Sequence, residues 1–162
     1  MVTKNEQLQH AWHRYSSEHG YLPSGLREAT EWAVREGLLS LPRMDPYEIL
    51  TQQMARALRE EKNTDRRGRK YRVNHAVRVT RDGVQLAFWG IMGYTPAAHI
   101  ETSLAQRREQ IISDCLKLKI DVDAYNEIDI NHPPFQLVLD FTDDVAEREA
   151  NFQDEDDELP ED

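Results

Sequence analysis

Apolar side chains recur at helical spacing in three stretches near the start of the chain. The first stretch follows Thr3, which together with Glu6 forms the pattern of a helix capping box. The second ends at Gly37, a residue suited to the left-handed position that closes a helix. The third follows Asp45 and Pro46, because Asp45 can cap a helix and proline suits its first turn. The sequence therefore predicts three N-terminal helices.

An alternation of apolar and polar residues follows the third helix and predicts β-structure. Asp82 and Gly83 then form a pair that is favoured in two-residue type I′ turns, where both positions need positive φ. This turn fixes a register in which Val77 faces Phe88 and the apolar side chains of both strands share one buried face. We predict a long antiparallel hairpin over about residues 70–92.

The rest of the chain predicts one long helix, one further strand and a tail. An apolar stripe predicts a helix over about residues 96–125, and alternation after two prolines predicts a third strand over about residues 135–141 that joins the hairpin. The last residues are acidic and poor in apolar side chains, which favours disorder. The predicted fold is therefore α+β, with a single domain over residues 1–145 and a disordered acidic tail over residues 146–162.

Charge is segregated along the chain, and this changes the functional picture. The net charge is -10, with 20 basic and 30 acidic residues. Residues 56–81 nevertheless contain half of the basic side chains, whereas Arg148 is the only one after Asp140. Such asymmetry indicates that the basic part meets a polyanion or that the two parts meet each other.

The order of helix, helix, helix and hairpin over residues 5–92 resembles the layout of winged-helix DNA-binding domains. The resemblance implies that the third helix enters the major groove, although the connector over residues 38–44 is longer than the usual turn of about 3–4 residues. It further implies a reading surface of Thr51, Gln52, Arg56 and Arg59, in which the Gln and Arg residues contact base edges, and phosphate contacts from Arg66, Arg67, Arg69 and Lys70. The alternative is a solvated basic loop on an acidic protein.

A second cationic surface follows from the hairpin register. Trp89 lies on the same predicted face as Arg72 and Arg78, so an uncovered face would offer an aromatic plane among cations. Such a surface suits single-stranded nucleic acid or an acidic peptide. If helices cover this face, Trp89 is a core residue. The full set of candidate nucleic-acid-binding residues is Gln52, Arg56, Arg59, Arg66, Arg67, Arg69, Lys70, Arg72 and Arg78.

Catalytic chemistry finds little support in the sequence. No motif assembles a nucleophile, a base and an orienting group, so no catalytic residue is predicted. His10 and His13 share a helix face without further ligands, and the single Cys115 excludes an intramolecular disulfide and a cysteine-cluster zinc site. His75 fits either a hydrogen-bonded core histidine or a general base. We predict neither a metal nor a cofactor.

The most direct functional hypothesis is a small, non-enzymatic, nucleic-acid-binding or regulatory protein that binds DNA or RNA through the basic segment. The alternative is a protein-interaction or adaptor module whose acidic tail engages a basic partner. No stretch approaches the roughly 18 apolar residues of a membrane span, and the first residues lack an apolar run. We therefore expect a cytoplasmic protein without a membrane partner, and the sequence leaves its oligomeric state open.

Overall fold

The computed structural model describes the backbone of residues 1–157 and the side chains of residues 1–152. This part of the chain forms five helices and two antiparallel two-stranded sheets, so the predicted α+β class is confirmed. The elements are α1 (Lys4–Glu18), α2 (Leu26–Arg35), α3 (Pro46–Glu60), β1 (Lys62–Thr64), β2 (Lys70–Arg72), β3 (Asn74–Arg81), β4 (Val84–Ile91), α4 (Ala97–Ile128) and α5 (Thr142–Asp157). None of these helices is long and apolar enough to cross a membrane.

The chain divides into two compact units, and the division falls within α3, after Gln52. The first unit has a small core in which Tyr15 of α1 meets Trp32 of α2 edge to face, at 5.5 Å between ring centroids. The predicted capping box starts α1: the Thr3 backbone N–H donates to the Glu6 carboxylate, and the Glu6 N–H donates to the Thr3 hydroxyl. The proposal of one domain over residues 1–145 stays a prediction.

The second unit is built around the β3–β4 hairpin, whose predicted register is confirmed. Val77 pairs with Phe88, and the turn residues Asp82 and Gly83 have φ values of 51° and 76°. Both values lie in the left-handed region that a type I′ turn requires. The predicted burial of Phe88 is wrong, because 46% of this residue is exposed. Helix α4 packs beside the hairpin and hydrogen-bonds to the outer edge of β3.

The hairpin is shorter at its open end than the predicted range of residues 70–92. Residues of β2 pair instead with β1, with Lys62 opposite Arg72. Val73 lies between the two sheets: its N–H donates to the Glu61 carbonyl, and its carbonyl accepts from the Met92 N–H. The strand that the sequence predicts as continuous therefore serves two sheets, because β1 supplies a second set of backbone partners for its first residues.

The predicted long helix is present as α4, and polar side chains attach it to β3. The Gln106 side chain forms two hydrogen bonds with the backbone of Arg78, accepting from its N–H at 2.8 Å and donating to its carbonyl at 2.9 Å. One turn earlier, the Ser103 hydroxyl donates to the Ala76 carbonyl at 2.7 Å. These bonds occupy backbone groups of β3 that face away from β4.

The predicted third strand over residues 135–141 is wrong, because this segment is irregular and joins neither sheet. It turns back along the end of α4, where the Asn126 side chain bonds both the N–H and the carbonyl of Phe135. The Phe135 ring stacks on Tyr125 at 5.2 Å between centroids. A helix side chain thus takes the backbone positions that a neighbouring strand would have used.

The structure has a helix, α5, over Thr142–Asp157, where the sequence predicts a tail that starts at residue 146, and the disorder of the tail over residues 146–162 stays a prediction. Hydrogen bonds from the Thr142 hydroxyl and backbone N–H to the Asp140 carboxylate lie at the start of α5 and lower the pKa of Asp140. Asp143 and Asp144 add negative charge at the positive end of the helix dipole. Residues 158–162 of the predicted tail lie outside the described residues.

Gly90 is required by close packing beside the end of β4. A Cβ at this position would lie 2.5 Å from the Thr95 side-chain oxygen. We expect Gly90→Ala to lower the free energy of unfolding by about 1–3 kcal/mol, as overpacking does. In a Thr95→Ala background, which lacks the two closest atoms, the same change should cost less. Urea unfolding of the four proteins measures both costs, and equal costs in the two backgrounds would contradict the packing argument.

Candidate nucleic-acid interface

Four arginines, each from a different helix or strand of the second unit, line one cavity, which we call the arginine pocket. The arginines are Arg59 of α3, Arg72 of β2, Arg78 of β3 and Arg107 of α4. The cavity has a volume of about 130 Å³. Its other lining residues are Asn74, His75, Ala76, Ala87, Trp89, Ser103, Gln106 and Gln110. Among the described residues, no Asp or Glu lines it, so the pocket concentrates positive charge.

The α4 wall of the pocket follows from the contact between Gln106 and β3. Ser103, Gln106 and Gln110 are spaced three and four residues apart, so they share one face of α4, and Arg107 is adjacent to this face. The Gln106 bonds to Arg78 fix this face against β3. They bring Arg107 of the helix and Arg78 of the strand to the same cavity.

Trp89 carries the aromatic character of the pocket. It pairs with Ala76 across the hairpin and is half-buried. The Arg59 guanidinium lies over its ring, 5.5 Å from the centroid. This cation–π contact anchors Arg59 while leaving its charge in place. Trp89 therefore holds the guanidinium of Arg59, a residue of α3, against the hairpin.

The residues beneath the arginines are buried and tightly held. The Asn74 side chain donates to the Leu58 carbonyl at 3.1 Å and to the Glu61 carboxylate at 2.7 Å. His75 is 3% exposed, and its Nε2 lies 2.9 Å from the Arg72 carbonyl. Because a carbonyl oxygen only accepts, this Nε2 carries the hydrogen. Nδ1 of His75 is buried without a hydrogen-bond partner among the described residues. This placement fits the interpretation of His75 as a hydrogen-bonded core histidine.

A second group of cations lies in the loop between β1 and β2 and at Lys70, the first residue of β2. We call Arg66, Arg67, Arg69 and Lys70 the basic loop. The Asp65 carboxylate accepts from the backbone N–H groups of Arg67 and Arg69 and from the Arg69 side chain at 2.7 Å. Burial alone would raise the pKa of Asp65, but these bonds to Arg69 and Arg67 outweigh it and lower the pKa below its usual value. The Asp65 carboxylate thus shapes the loop and offsets the charge of Arg69.

The structure brings together only part of the predicted site. Arg59, Arg72 and Arg78 line the arginine pocket, whereas the basic loop is not among its lining residues. Gln52 and Arg56 lie on α3 outside this lining, and the Gln52 amide donates to Glu48. Arg107 was absent from the predicted site because its spacing matches the apolar stripe of α4. The polar residues Ser103 and Gln106 mark a polar face on the same helix, but the sequence does not show that this face meets β3.

The guanidinium groups of the arginine pocket are suited to binding an oxyanion directly, without a bound metal ion or cofactor. Guanidinium groups offer several N–H donors in a planar fork that matches phosphate and carboxylate oxygens. Among the described side chains, no three His, Cys, Asp or Glu residues come together as metal ligands would. Comparisons with protein-family models, with curated proteins and with solved structures find no match to this chain.

The depressed pKa of Asp65 predicts acid opening of the basic loop. A group whose pKa is lower in the folded state stabilises that state above its unfolded pKa of about 3.9 and loses this contribution as pH falls through the folded pKa. We expect amide hydrogen exchange at Arg67 and Arg69 to lose protection as pH falls below about 4, after correction for intrinsic rates. Asp65→Asn should show little such pH dependence. An unchanged profile in that variant would assign the opening to other groups.

The contact of Gln106 with Arg78 predicts a specific stability difference within α4. Gln106→Ala leaves the N–H and carbonyl of Arg78 to water, which should lower the free energy of unfolding by about 1 kcal/mol. Gln110→Ala is the matched control, because among the described residues the side chain of Gln110 bonds only Asp114 of its own helix. Denaturant unfolding compares the two variants. An equal effect would show that the Gln106 bonds do not hold α4 against β3.

Proposed function

We propose that this protein is a non-enzymatic, cytoplasmic nucleic-acid-binding protein that contacts the phosphate backbone through its second unit. The observation that carries the proposal is the arginine pocket, with four guanidinium groups, a half-buried tryptophan and no lining carboxylate among the described residues. Phosphate contacts supply most of non-specific nucleic-acid affinity. Arg59, Arg72, Arg78 and Arg107 are the proposed phosphate-binding residues.

The size of the pocket favours a single phosphate group as the bound portion. Its volume of about 130 Å³ is well below the roughly 300–1,000 Å³ of sites that enclose whole small molecules. A phosphate group of a longer strand can enter while its sugar and base stay outside. The basic loop supplies further cations for neighbouring phosphates, with Arg66 and Arg67 bearing no ion pair among the described residues.

Single-stranded nucleic acid fits the site better than a duplex held in the winged-helix manner. In that layout Arg59 would reach the edges of bases, yet its guanidinium lies over the Trp89 ring. Non-specific single-strand binding combines cationic grooves with aromatic side chains on which bases stack. Gln52 and Arg56 on α3 stay candidates for additional contacts.

The proposal is tested by titrating fluorescent single-stranded DNA and RNA oligonucleotides at several salt concentrations. Binding should weaken steeply with salt, because each phosphate contact releases bound counterions. Duplex DNA of the same length is the comparison for the winged-helix alternative. No measurable binding of any of these strands at low salt would refute the proposal.

Two consecutive arginines of α4 provide a matched pair of variants. Arg107 lines the pocket, whereas Arg108 does not line it and lies 3.6 Å from the Glu109 carboxylate. We expect Arg107→Ala to weaken binding about tenfold and to reduce the salt slope by about 0.7, the value of one single-strand phosphate contact. Arg108→Ala should change both much less. Equal effects would show that only the overall charge matters.

A second candidate function rests on α5. Its exposed carboxylates include Asp143, Asp144, Glu147 and Glu149, with Arg148 as the only cation among its described side chains. This surface supports the adaptor alternative, in which the acidic helix engages a basic partner. A lysine-rich peptide should then bind the full chain and lose its affinity when the chain is truncated after Phe141. Equal binding by both chains would exclude α5 as the docking element.

A further inference from the structure

The two outer edges of the β3–β4 hairpin are treated differently. Side chains of α4 occupy the edge of β3, with Gln106 bonded to Arg78 and Ser103 bonded to Ala76. In the described residues, β4 has a strand partner on one side only, which is β3. An open edge presents a row of backbone N–H and carbonyl groups to which another strand can pair.

The register identifies the backbone groups on the open edge. In an antiparallel pair, residues of alternate pairs direct their N–H and carbonyl away from the partner strand. Arg78 is such a residue, because both of its backbone groups bond Gln106, and its partner in β4 is Ala87. The same alternation makes Gln85 and Trp89 outward-facing. Ala87, Gln85 and Trp89 thus form a ladder of three unused positions.

The open edge lacks the features that normally prevent strand pairing. Natural edge strands carry charges, prolines or bulges. From Val84 to Ile91, β4 has no charged residue and no proline, and it is exposed: 58% of Val84 and 38% of Leu86 is accessible. An isolated two-stranded sheet is also marginally stable, and additional strands strengthen it. The outer edge of β4 therefore has accessible backbone groups, and an additional strand would stabilise the sheet.

We propose that a second copy of this chain pairs with β4, antiparallel and about a twofold axis, to form a four-stranded sheet. Charge favours this occupant over an unrelated strand. The chain carries a net charge of -10, and its longest stretch without Asp, Glu, Lys or Arg runs from Gly83 to Ile100. Two copies that meet at β4 therefore oppose uncharged segments and keep their acidic residues out of the ladder.

The twofold arrangement also matches side chains by face. Direct partners in an antiparallel ladder lie on the same face of the sheet. With the axis at Ala87, Leu86 of one copy lies beside Phe88 of the other, and the symmetry repeats the pair. Phe88 is the residue that the hairpin leaves 46% exposed. The second copy therefore extends this apolar face of the sheet and places Leu86 beside Phe88, over whose ring the Arg81 guanidinium lies at 5.7 Å.

Sedimentation and hydrogen exchange test the pairing together, and neither depends on nucleic acid. We expect a dimer whose population rises with protein concentration in analytical ultracentrifugation. The amides of Gln85, Ala87 and Trp89 should gain protection in step with it, whereas those of Leu86 and Phe88, which face β3, should be protected at all concentrations. A monomer throughout, or a dimer with unprotected amides at these three positions, would overturn the proposal.

Two variants make the test specific to the edge. Gln85→Pro removes an outward N–H without removing a bond to β3, so dimer affinity should fall at least tenfold, while Gln85→Ala keeps the N–H and should dimerise normally. Leu86→Lys places a charge at the twofold contact and should have the same effect as the proline. Circular dichroism verifies that each variant is folded. Retained dimerisation in folded Leu86→Lys and Gln85→Pro proteins would refute the proposal.

Discussion

The side-chain amide of Gln106 holds α4 against the edge of β3 by bonding both backbone groups of Arg78. Each such bond contributes only about 0.5–1.5 kcal/mol, so its importance lies in alignment more than in strength. An amide has one acceptor and one donor side by side, which is the pattern that an extended residue presents at a strand edge. One glutamine side chain can bond both backbone groups of only one strand residue at a time. The bonds to Arg78 therefore fix the position of α4 along β3. The arginine pocket depends on this alignment, because Arg107 follows Gln106 directly and Arg78 is the residue that Gln106 binds.

The same interaction occurs at the far end of α4 and explains the main topological difference from expectation. Asn126 bonds the N–H and carbonyl of Phe135 just as Gln106 bonds Arg78. A segment with strand-like alternation therefore lies against a helix with its edge satisfied by a side chain. Alternation predicts which side chains share a face, and it contains no information about which backbone will be the partner. The wrong prediction of a strand over residues 135–141 arises because alternation does not identify the partner. The pairing of β2 with β1 was missed for the same reason.

What the sequence could predict was set by local chemistry. The Asp82-Gly83 turn carries its own φ requirement, so the β3–β4 register followed from it, and Thr3 with Glu6 determined the start of α1. The candidate site was predictable only where such local rules apply. The alternation along residues 71–80 places Arg72 and Arg78 on one predicted face, and both line the arginine pocket, although Arg72 belongs to β2. Arg107 and the anchoring of Arg59 on Trp89 could not be predicted, because each depends on a contact between elements distant in sequence. The length of α5 was not predicted for another reason. The repulsion between its acidic residues argued against a helix, and the bonds between Thr142 and Asp140 at its start were not foreseen.

The opposite signs of the whole chain and of the arginine pocket are compatible because they act over different distances. At physiological ionic strength the screening length is about 8 Å, so carboxylates farther away than this contribute little to the potential inside the pocket. Four arginines around a cavity of about 130 Å³ are within that range of any bound group. The net charge of -10 then opposes the approach of a polyanion most strongly at low salt, while the pocket decides contact at short range. Under the proposed function, such a charge distribution would disfavour diffuse electrostatic association and would favour anions that can place one group inside the cavity. The uncharged β4 edge follows the same logic, since it is where two acidic chains can meet with the least repulsion.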